Sequence, residues 1–458
     1  MKRLVVFPGD PIGEGVSGKR KFDLNAYINV YWRFRNKIME EIKSMRILQL
    51  NAGVKESSIP YRLMKAFEKK GIYSEILAMS STVTDSRIIL ARKTLGFKVC
   101  RRLDWLLMRV EEKLFYKREY NLPFSFYRVG MNLTRERIVQ DADILIVHWV
   151  CGTFLSPYGL RRLLKRHDKI ILVCHDSWYF TGGCHVRLGC KKFEDGCGCC
   201  PQLHSEKKFD WSYRLLKMKE KAFKGKHNVI IISPSHWMDQ NVSHSELFRE
   251  YAHCVIPNPI DISRFRALNK FNIRAKWQMP DNSYIILFGA VNAKSTPYKG
   301  FKQFTQAIEW MEEKYEFMLP VKIYAFGALA DESDDGIIYL GNMTEEQMIE
   351  LYNCADVYVM PSLDDNLPGT VMESLACETP VVAFRTGGIP DMVVHKQNGY
   401  LAEYGDAQDL AKGIKWVIEH NGNNMLGKNG RQRICDCFEE DVVTRQYEHL
   451  IKKILNVE

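Results

Sequence analysis

Residues 355–384 constrain the fold of this chain more than any other stretch. Ala-Asp-Val-Tyr-Val-Met (355–360) has the β-branched and aromatic content of a buried parallel strand. Asp-Asp-Asn-Leu-Pro-Gly leads through a turn cluster at 364–369, and 371–377 reads as a helix. Thr379-Pro380 stops that helix, and 381–384 starts another strand. In an open α/β sheet built from such units, ligands sit just beyond the carboxyl ends of the strands. Asp365 falls at that position, and Glu373 follows eight residues later in the helix. Backbone N–H groups at Gly369 and Thr370 would lie at the helix start, where the dipole favours an anion. The unit thus offers a phosphate cradle between two carboxylates that can accept hydrogen bonds from sugar hydroxyls. Acids at a helix start also serve as plain caps, so the pattern alone leaves both readings open.

At 458 residues the chain is too long for one ordinary core, which predicts two or three domains. Its 46% hydrophobic and 26% charged residues describe a globular protein rather than a disordered one. A formal charge of +10 calls for an acidic partner: nucleotide phosphates, an anionic membrane surface, or nucleic acid. Nucleic acid is excluded as the main partner, because the charge is spread along the chain without a binding motif. No run of about 18 uncharged apolar residues predicts a membrane span. The apolar run at 4–7 is far too short for a signal peptide. The expected address is cytoplasmic, with the inner face of the cell membrane as a peripheral site. There, thirteen cysteines are not expected to form a disulfide framework.

Taken in order, 1–44 is an N-terminal extension with four glycines in 9–21 and helical periodicity over 25–42. A first Rossmann-like domain is expected over 45–257, opening strand, helix, strand at 46–51, 61–70 and 73–79. Residues 98–127 mix Arg101, Arg102, Arg109 and Lys113 with Trp105, Leu106, Leu107 and Leu114. Such a basic, aromatic helix either lies on a membrane surface or turns an apolar stripe to the core. Strands are expected at 143–149 and 169–174, the second ending in His175-Asp176. Next, Cys184, Cys190, Cys197 and Cys200 fall in a cysteine-rich insert at 184–200. Four thiolates would close a tetrahedral structural zinc site; reduced thiols packed in a loop, or a disulfide pair, are the alternatives. An all-cysteine site leaves no open position, so no catalytic metal is expected. Asn258-Pro259-Ile260-Asp261 reads as a hinge, 258–440 as a second Rossmann-like domain, and 441–458 as a terminal helix. In the second domain, strands are expected at 284–288, 321–326 and 337–340, and Thr344-Glu-Glu-Gln347 forms a capping box.

Pro361-Ser362, Asp365-x7-Glu373, Thr379-Pro380-Val381-Val382 and Gly387-Gly388-Ile389-Pro390 resemble the donor-site segment of retaining family-4 glycosyltransferases of the GT-B fold. The resemblance runs over 45–455 and is strongest over 337–418; the cysteine-rich insert is similar to one in bacterial exopolysaccharide and capsule glycosyltransferases. It implies two Rossmann-like doubly wound domains facing across a cleft, with the terminal helix packing back on the first. It implies a hexosyltransferase that moves a sugar from a nucleotide-diphosphate sugar to a glycan or lipid-linked acceptor, with retention, in cell-surface polysaccharide synthesis. By the same resemblance, Lys299 and the amides near Gly369 and Thr370 hold the diphosphate, with Lys294 as a second cation. Gly289, Gly341, Asn342 and Leu367 present backbone to the nucleotide, Glu373 accepts ribose hydroxyls, Asp365 holds the donor sugar, and His175 reaches that sugar from the other domain. The chain departs from the family pattern at Asp365 (usually Glu), Pro368, Ala290 (usually Arg) and Ser57-Ser58 (usually Gly-Gly). Two other functions fit the same residues: a nucleotide-sugar hydrolase or epimerase, and a catalytically silent membrane-surface binding protein.

Overall fold

A computed structural model describes residues 44–115, 122–126, 128–289, 295–327 and 336–455. Most of the N-terminal extension, the helix expected at 25–42, Lys294 and Ala290 lie outside the described residues.

Two parallel sheets organise the chain. The first has the order β3-β2-β1-β4-β5-β6-β7, from β1 (Ile47–Val54), β2 (Ser74–Ser81), β3 (Ile88–Leu90), β4 (Ile144–Val147), β5 (Ile170–Val173), β6 (Val229–Ser233) and β7 (Ala252–Val255). The second has the order β10-β9-β8-β11-β12-β13, from β8 (Tyr284–Gly289), β9 (Val321–Phe326), β10 (Ile337–Gly341), β11 (Val357–Met360), β12 (Val381–Phe384) and β13 (Gly399–Ala402). β4, β5, β11 and β12 are buried at every residue, as expected of parallel strands covered by helices on both faces. In each sheet the strand order reverses beside the first strand, at β1/β4 and at β8/β11. That is where a doubly wound sheet opens a crevice for ligand.

The sheets are joined twice. After β7 the chain enters the second domain through 256–260, and helix Glu440–Ile454 returns to the first. Its Val443, Tyr447, Leu450 and Ile451 pack with Ile47, Phe67, Ile171 and Ile232 of the first sheet and its covering helix. The two crossings lie side by side: Ile260 N donates to Phe438 O (3.0 Å) and Glu440 N to Ile260 O (3.2 Å). Lys69 pairs with Asp261 and with Glu440 across the same point.

Helix Leu95–Phe115 fills the expected basic, aromatic stretch, but its polarity is inverted. Asp104 is turned inward, paired with Arg128 at 2.9 Å, and Phe97 and Met108 pack on the protein. Leu95, Val99, Leu103, Trp105, Leu106, Leu107 and Val110 are all exposed. No helix among the described residues is long and apolar enough to cross a membrane.

Candidate functional site

The loop between β11 and helix Gly369–Ala376 is the junction of the molecule, and three successive residues in it do three different things. Asp364 reaches across to the first domain, where its Oδ2 accepts from the backbone N–H of Arg187 (3.0 Å) and Leu188 (2.8 Å). Asp365 stays within its own domain and pairs with Lys299 Nζ at 2.8 Å. Asn366 donates from Nδ2 to the carbonyls of Cys174 (3.1 Å) and His175 (2.9 Å), and its Oδ1 accepts from Ser235 Oγ. The loop is held from behind by Gly387, which sits at φ +56; a Cβ there would stand 1.7 Å from Asp365 O. Only glycine tolerates both the conformation and the approach.

Lys299 ends a short 3-10 turn, Pro297–Lys299. Tyr298 O in that turn accepts from Leu363 N (2.8 Å), so the cation is docked on the acid loop rather than left in solvent. Burial pulls the Lys299 ammonium down, but the charge of Asp365 and its hydrogen bond outweigh this and raise it. Gly300 follows at φ +71, with room for no Cβ against Pro361 O (1.8 Å).

Glu373 lies in the first turns of helix Gly369–Ala376, which no side chain caps at its N-terminus. Its Oε1 accepts from Arg62 of the first domain at 2.7 Å, and its Oε2 from Tyr352 Oη at 3.2 Å. Burial alone would lower the Arg62 guanidinium; the charges of Glu373 and Glu345 raise it instead. Glu373 is thus held in an interdomain ion pair at the edge of the cleft.

Across the gap, His175 follows β5, and Asp176 accepts from Trp178 N (2.8 Å) and pairs with His185 Nδ1 (2.6 Å). Burial would raise the Asp176 carboxyl, but His185 holds it below the ordinary range. Burial pulls His175 down to about 4, against the opposing charge of Asp176.

A cleft of about 1060 Å³ brings His175, Asn342, Asp365, Leu367, Gly369, Thr370 and Glu373 together between the two sheets. Ser57 and Ser58 of the first strand–helix loop and Asn258-Pro259 of the hinge line it too. Lys299 borders an adjoining pocket of about 140 Å³ that shares His175 and Asp365. Gly289 and Gly341 end their strands but line neither space. Arg62, Tyr352, Asp364, Asn366 and His148 were not singled out from the sequence as site residues. Only His148 carried a signal, a polar residue at the end of an apolar strand.

The four-thiolate zinc site is not assembled. Among the described residues no group of three or more His, Cys, Asp or Glu is arranged to hold a metal ion. Cys184 and Cys200 pack with Phe124, Phe126, Leu203 and Leu215, whereas Cys197 packs on the main core of the first domain. Cys184, Cys190, Cys197 and Cys200 are free thiols. Burial pushes the Cys197 thiol up to about 12 and raises Cys184 and Cys200 as well. The insert is a loop of packed, free cysteines whose backbone at Arg187 and Leu188 meets the second domain.

Residues 269–433 match the family described as Glycosyl transferases group 1. The chain is 27% identical over 325 residues to an uncharacterized glycosyltransferase of Haemophilus influenzae, covering 68% of this chain and 78% of that protein. It is 34% identical over 135 residues to the amylovoran biosynthesis glycosyltransferase AmsK of Erwinia amylovora, covering 28% of this chain and 33% of that one. For the first curated relatives it matches, the shared stretch spans 32% and 19% of their length. Among solved structures, Anabaena Alr3699/HepE in complex with UDP and glucose aligns with a TM-score of 0.59 and 15% identity, over 89% of this chain and 99% of that one. The chain therefore has a two-domain α/β fold of the GT-B type, whose second domain carries a glycosyl transferases group 1 match.

Proposed function

We propose that the protein is a retaining glycosyltransferase that moves a hexosyl group from a nucleotide-diphosphate sugar to a glycan or lipid-linked acceptor in polysaccharide synthesis. The observation that carries this reading is the convergence of Asp365, Glu373 and His175 on one interdomain cleft, with Lys299 on the pocket that adjoins it, around an uncapped helix start. The match over 269–433 and the polysaccharide-related name of the Erwinia relative support it. So does the UDP and glucose bound in the Anabaena structure, which has the same fold.

In this reading Lys299 and the N–H groups of Gly369 and Thr370 hold the diphosphate. Negative charge grows there as the glycosidic bond loosens, and a preorganised cation and helix start stabilise it at no reorganisation cost. Glu373 accepts the ribose hydroxyls, taking over from Arg62, and Asp365 and His175 hold the donor sugar from opposite sides. The acceptor oxygen attacks the anomeric carbon on the face the diphosphate leaves, and the leaving phosphate receives its proton. Closure of the crevice excludes water and limits donor hydrolysis.

Helix Leu95–Phe115 gives the protein a seat at an anionic membrane surface. At about 100° per residue, Leu95, Val99, Leu103, Leu106, Leu107 and Val110 share one outward arc, flanked by Lys98, Arg102 and Arg109. A thermal-shift panel of nucleotide diphosphates tests the donor side, since a ligand at 100 times its Kd stabilises by about 2.7 kcal/mol. No shift with any of them overturns the reading. Anomeric analysis of the transfer product tests retention, and sedimentation with anionic vesicles, lost in Leu106→Asp/Leu107→Asp, tests the membrane seat.

A further inference from the structure

Behind His175 runs a buried polar row that the chemistry above has not used. Gln49 of β1 is fully buried. Its Oε1 stands 2.9 Å from His148 Nε2, while its Nε2 is turned to Ser74 Oγ at 3.5 Å. His148, fully buried just past β4, places Nδ1 2.9 Å from His175 Nε2. The two imidazoles lie nearly parallel, 17° apart in plane with centroids 5.2 Å apart. The three side chains come from β1 and from the residues just beyond β4 and β5, adjacent strands of one sheet, and His148 N still donates to Leu50 O of β1 at 2.9 Å.

With Gln49 Oε1 turned to His148 and Nε2 to Ser74, the row has one consistent proton order. An amide oxygen carries no hydrogen, so the bond to Gln49 requires the proton on His148 Nε2. Burial keeps His148 neutral, with a single N–H. Its Nδ1 is then a bare acceptor, and the 2.9 Å contact requires His175 Nε2 to donate. His175 is itself held neutral at neutral pH by burial. That leaves Nδ1 as the bare nitrogen of the ring that borders the cleft.

We infer that Gln49 and His148 are positioning residues that fix His175 as its Nε2–H tautomer, so that His175 meets the donor sugar as a hydrogen-bond acceptor at Nδ1. The ring then takes a hydrogen bond from a sugar hydroxyl and gives none, and a donor with no hydroxyl at that point lacks the contact. The sugar in this statement rests on the glycosyltransferase reading; the tautomer does not.

The test combines ¹⁵N-histidine NMR of the full chain, with His175 assigned through His175→Gln, and transfer kinetics. In the wild type, His175 is expected to show a protonated Nε2 and a bare Nδ1. Gln49→Glu offers His148 a carboxylate, so His148 takes a second proton, donates through Nδ1 and turns His175 into the opposite tautomer. In that variant kcat is expected to fall on the order of 10- to 100-fold, the scale of a misplaced reacting contact, with nucleotide-diphosphate binding unchanged. Should the buried carboxylate prevent folding, His148→Leu and His148→Asn decide. Leucine removes the acceptor and lowers kcat by about the same factor, and asparagine, which keeps an oxygen within reach of His175, restores most of it. A wild-type His175 protonated on Nδ1 would overturn the inference, as would a folded His148→Leu enzyme with unchanged kcat. Were the wild type to bind no nucleotide diphosphate, the functional reading would fall while the NMR arm still decided the tautomer.

Discussion

The two walls of the cleft are built on opposite plans. On the second domain, Asp364, Asp365, Asn366 and Glu373 come from one continuous strand–loop–helix unit, and each is held by defined partners. On the first, the wall is assembled from Arg62, His175 with His148 buried behind it, and the backbone at Arg187, contributed by four separate segments. A contiguous unit can be kept correct by local geometry alone. A composite wall depends on sheet register and on the fit between domains, so it is more sensitive to distant change.

The largest expected effect tests the contiguous wall. Glu373→Gln keeps volume and helix but removes the charge, and is expected to lower kcat/KM on the order of 100- to 1000-fold in transfer assays. A near-normal rate would remove this wall from the chemistry. Lys299→Met follows, with a loss of about 100-fold and a compensating gain in Lys299→Arg, read from kcat at saturating donor.

The third prediction concerns the composite wall and reads stability. Arg62→Met strands the buried Glu373 carboxylate and is expected to lower unfolding free energy by about 3 kcal/mol in urea. The double variant Arg62→Met/Glu373→Gln should recover most of that loss. Strict additivity would mean that the walls are not coupled through this pair.

The smallest effect lies at the hinge. Burial alone would raise the Asp261 carboxyl, but hydrogen bonds from Ser263 and Lys69, with the Lys69 charge, bring it from the ordinary 3.8 to about 2. A depressed carboxylate stabilises the fold above its unfolded value and loses that contribution as pH falls through the folded one. The contribution is therefore present above about pH 4 and disappears between about pH 4 and 2. Asp261→Asn should flatten the acid limb of the stability curve over that window, while leaving the neutral-pH midpoint within a few degrees of wild type.

The same contrast explains what could be read from the chain. Strand alternation and the strand–loop–helix unit around Asp365 and Glu373 are local patterns of apolar runs and turn residues, and the strands and helix of that unit form close to where the sequence places them. The capping box at Thr344 and Gln347 forms, with both reciprocal bonds present. Arg62 carries no local mark, because its role depends on Glu373, 311 residues away. Asp364 reads as one more acid in a turn until the insert backbone is folded against it. The cysteine spacing misled for a related reason: the knuckle Cys197-x-x-Cys200 is a local pattern, but Cys184 and Cys190 must be brought to it. Here, among the described residues, no three of these thiols are arranged to hold a metal ion. The inverted helix Leu95–Phe115 has the periodicity of a core-facing helix, and periodicity does not say which side faces the protein.

The paired crossings at Ile260 and Phe438–Glu440 carry a mechanical consequence. Two strands of chain bonded to each other at one point act as a pin rather than as two separate tethers. A body held by a pin can swing, but it cannot slide. Opening the cleft then separates Glu373 from Arg62, and Asp364 from the insert, along an arc. Closing would return each to the same partner, in the same alignment of the two walls.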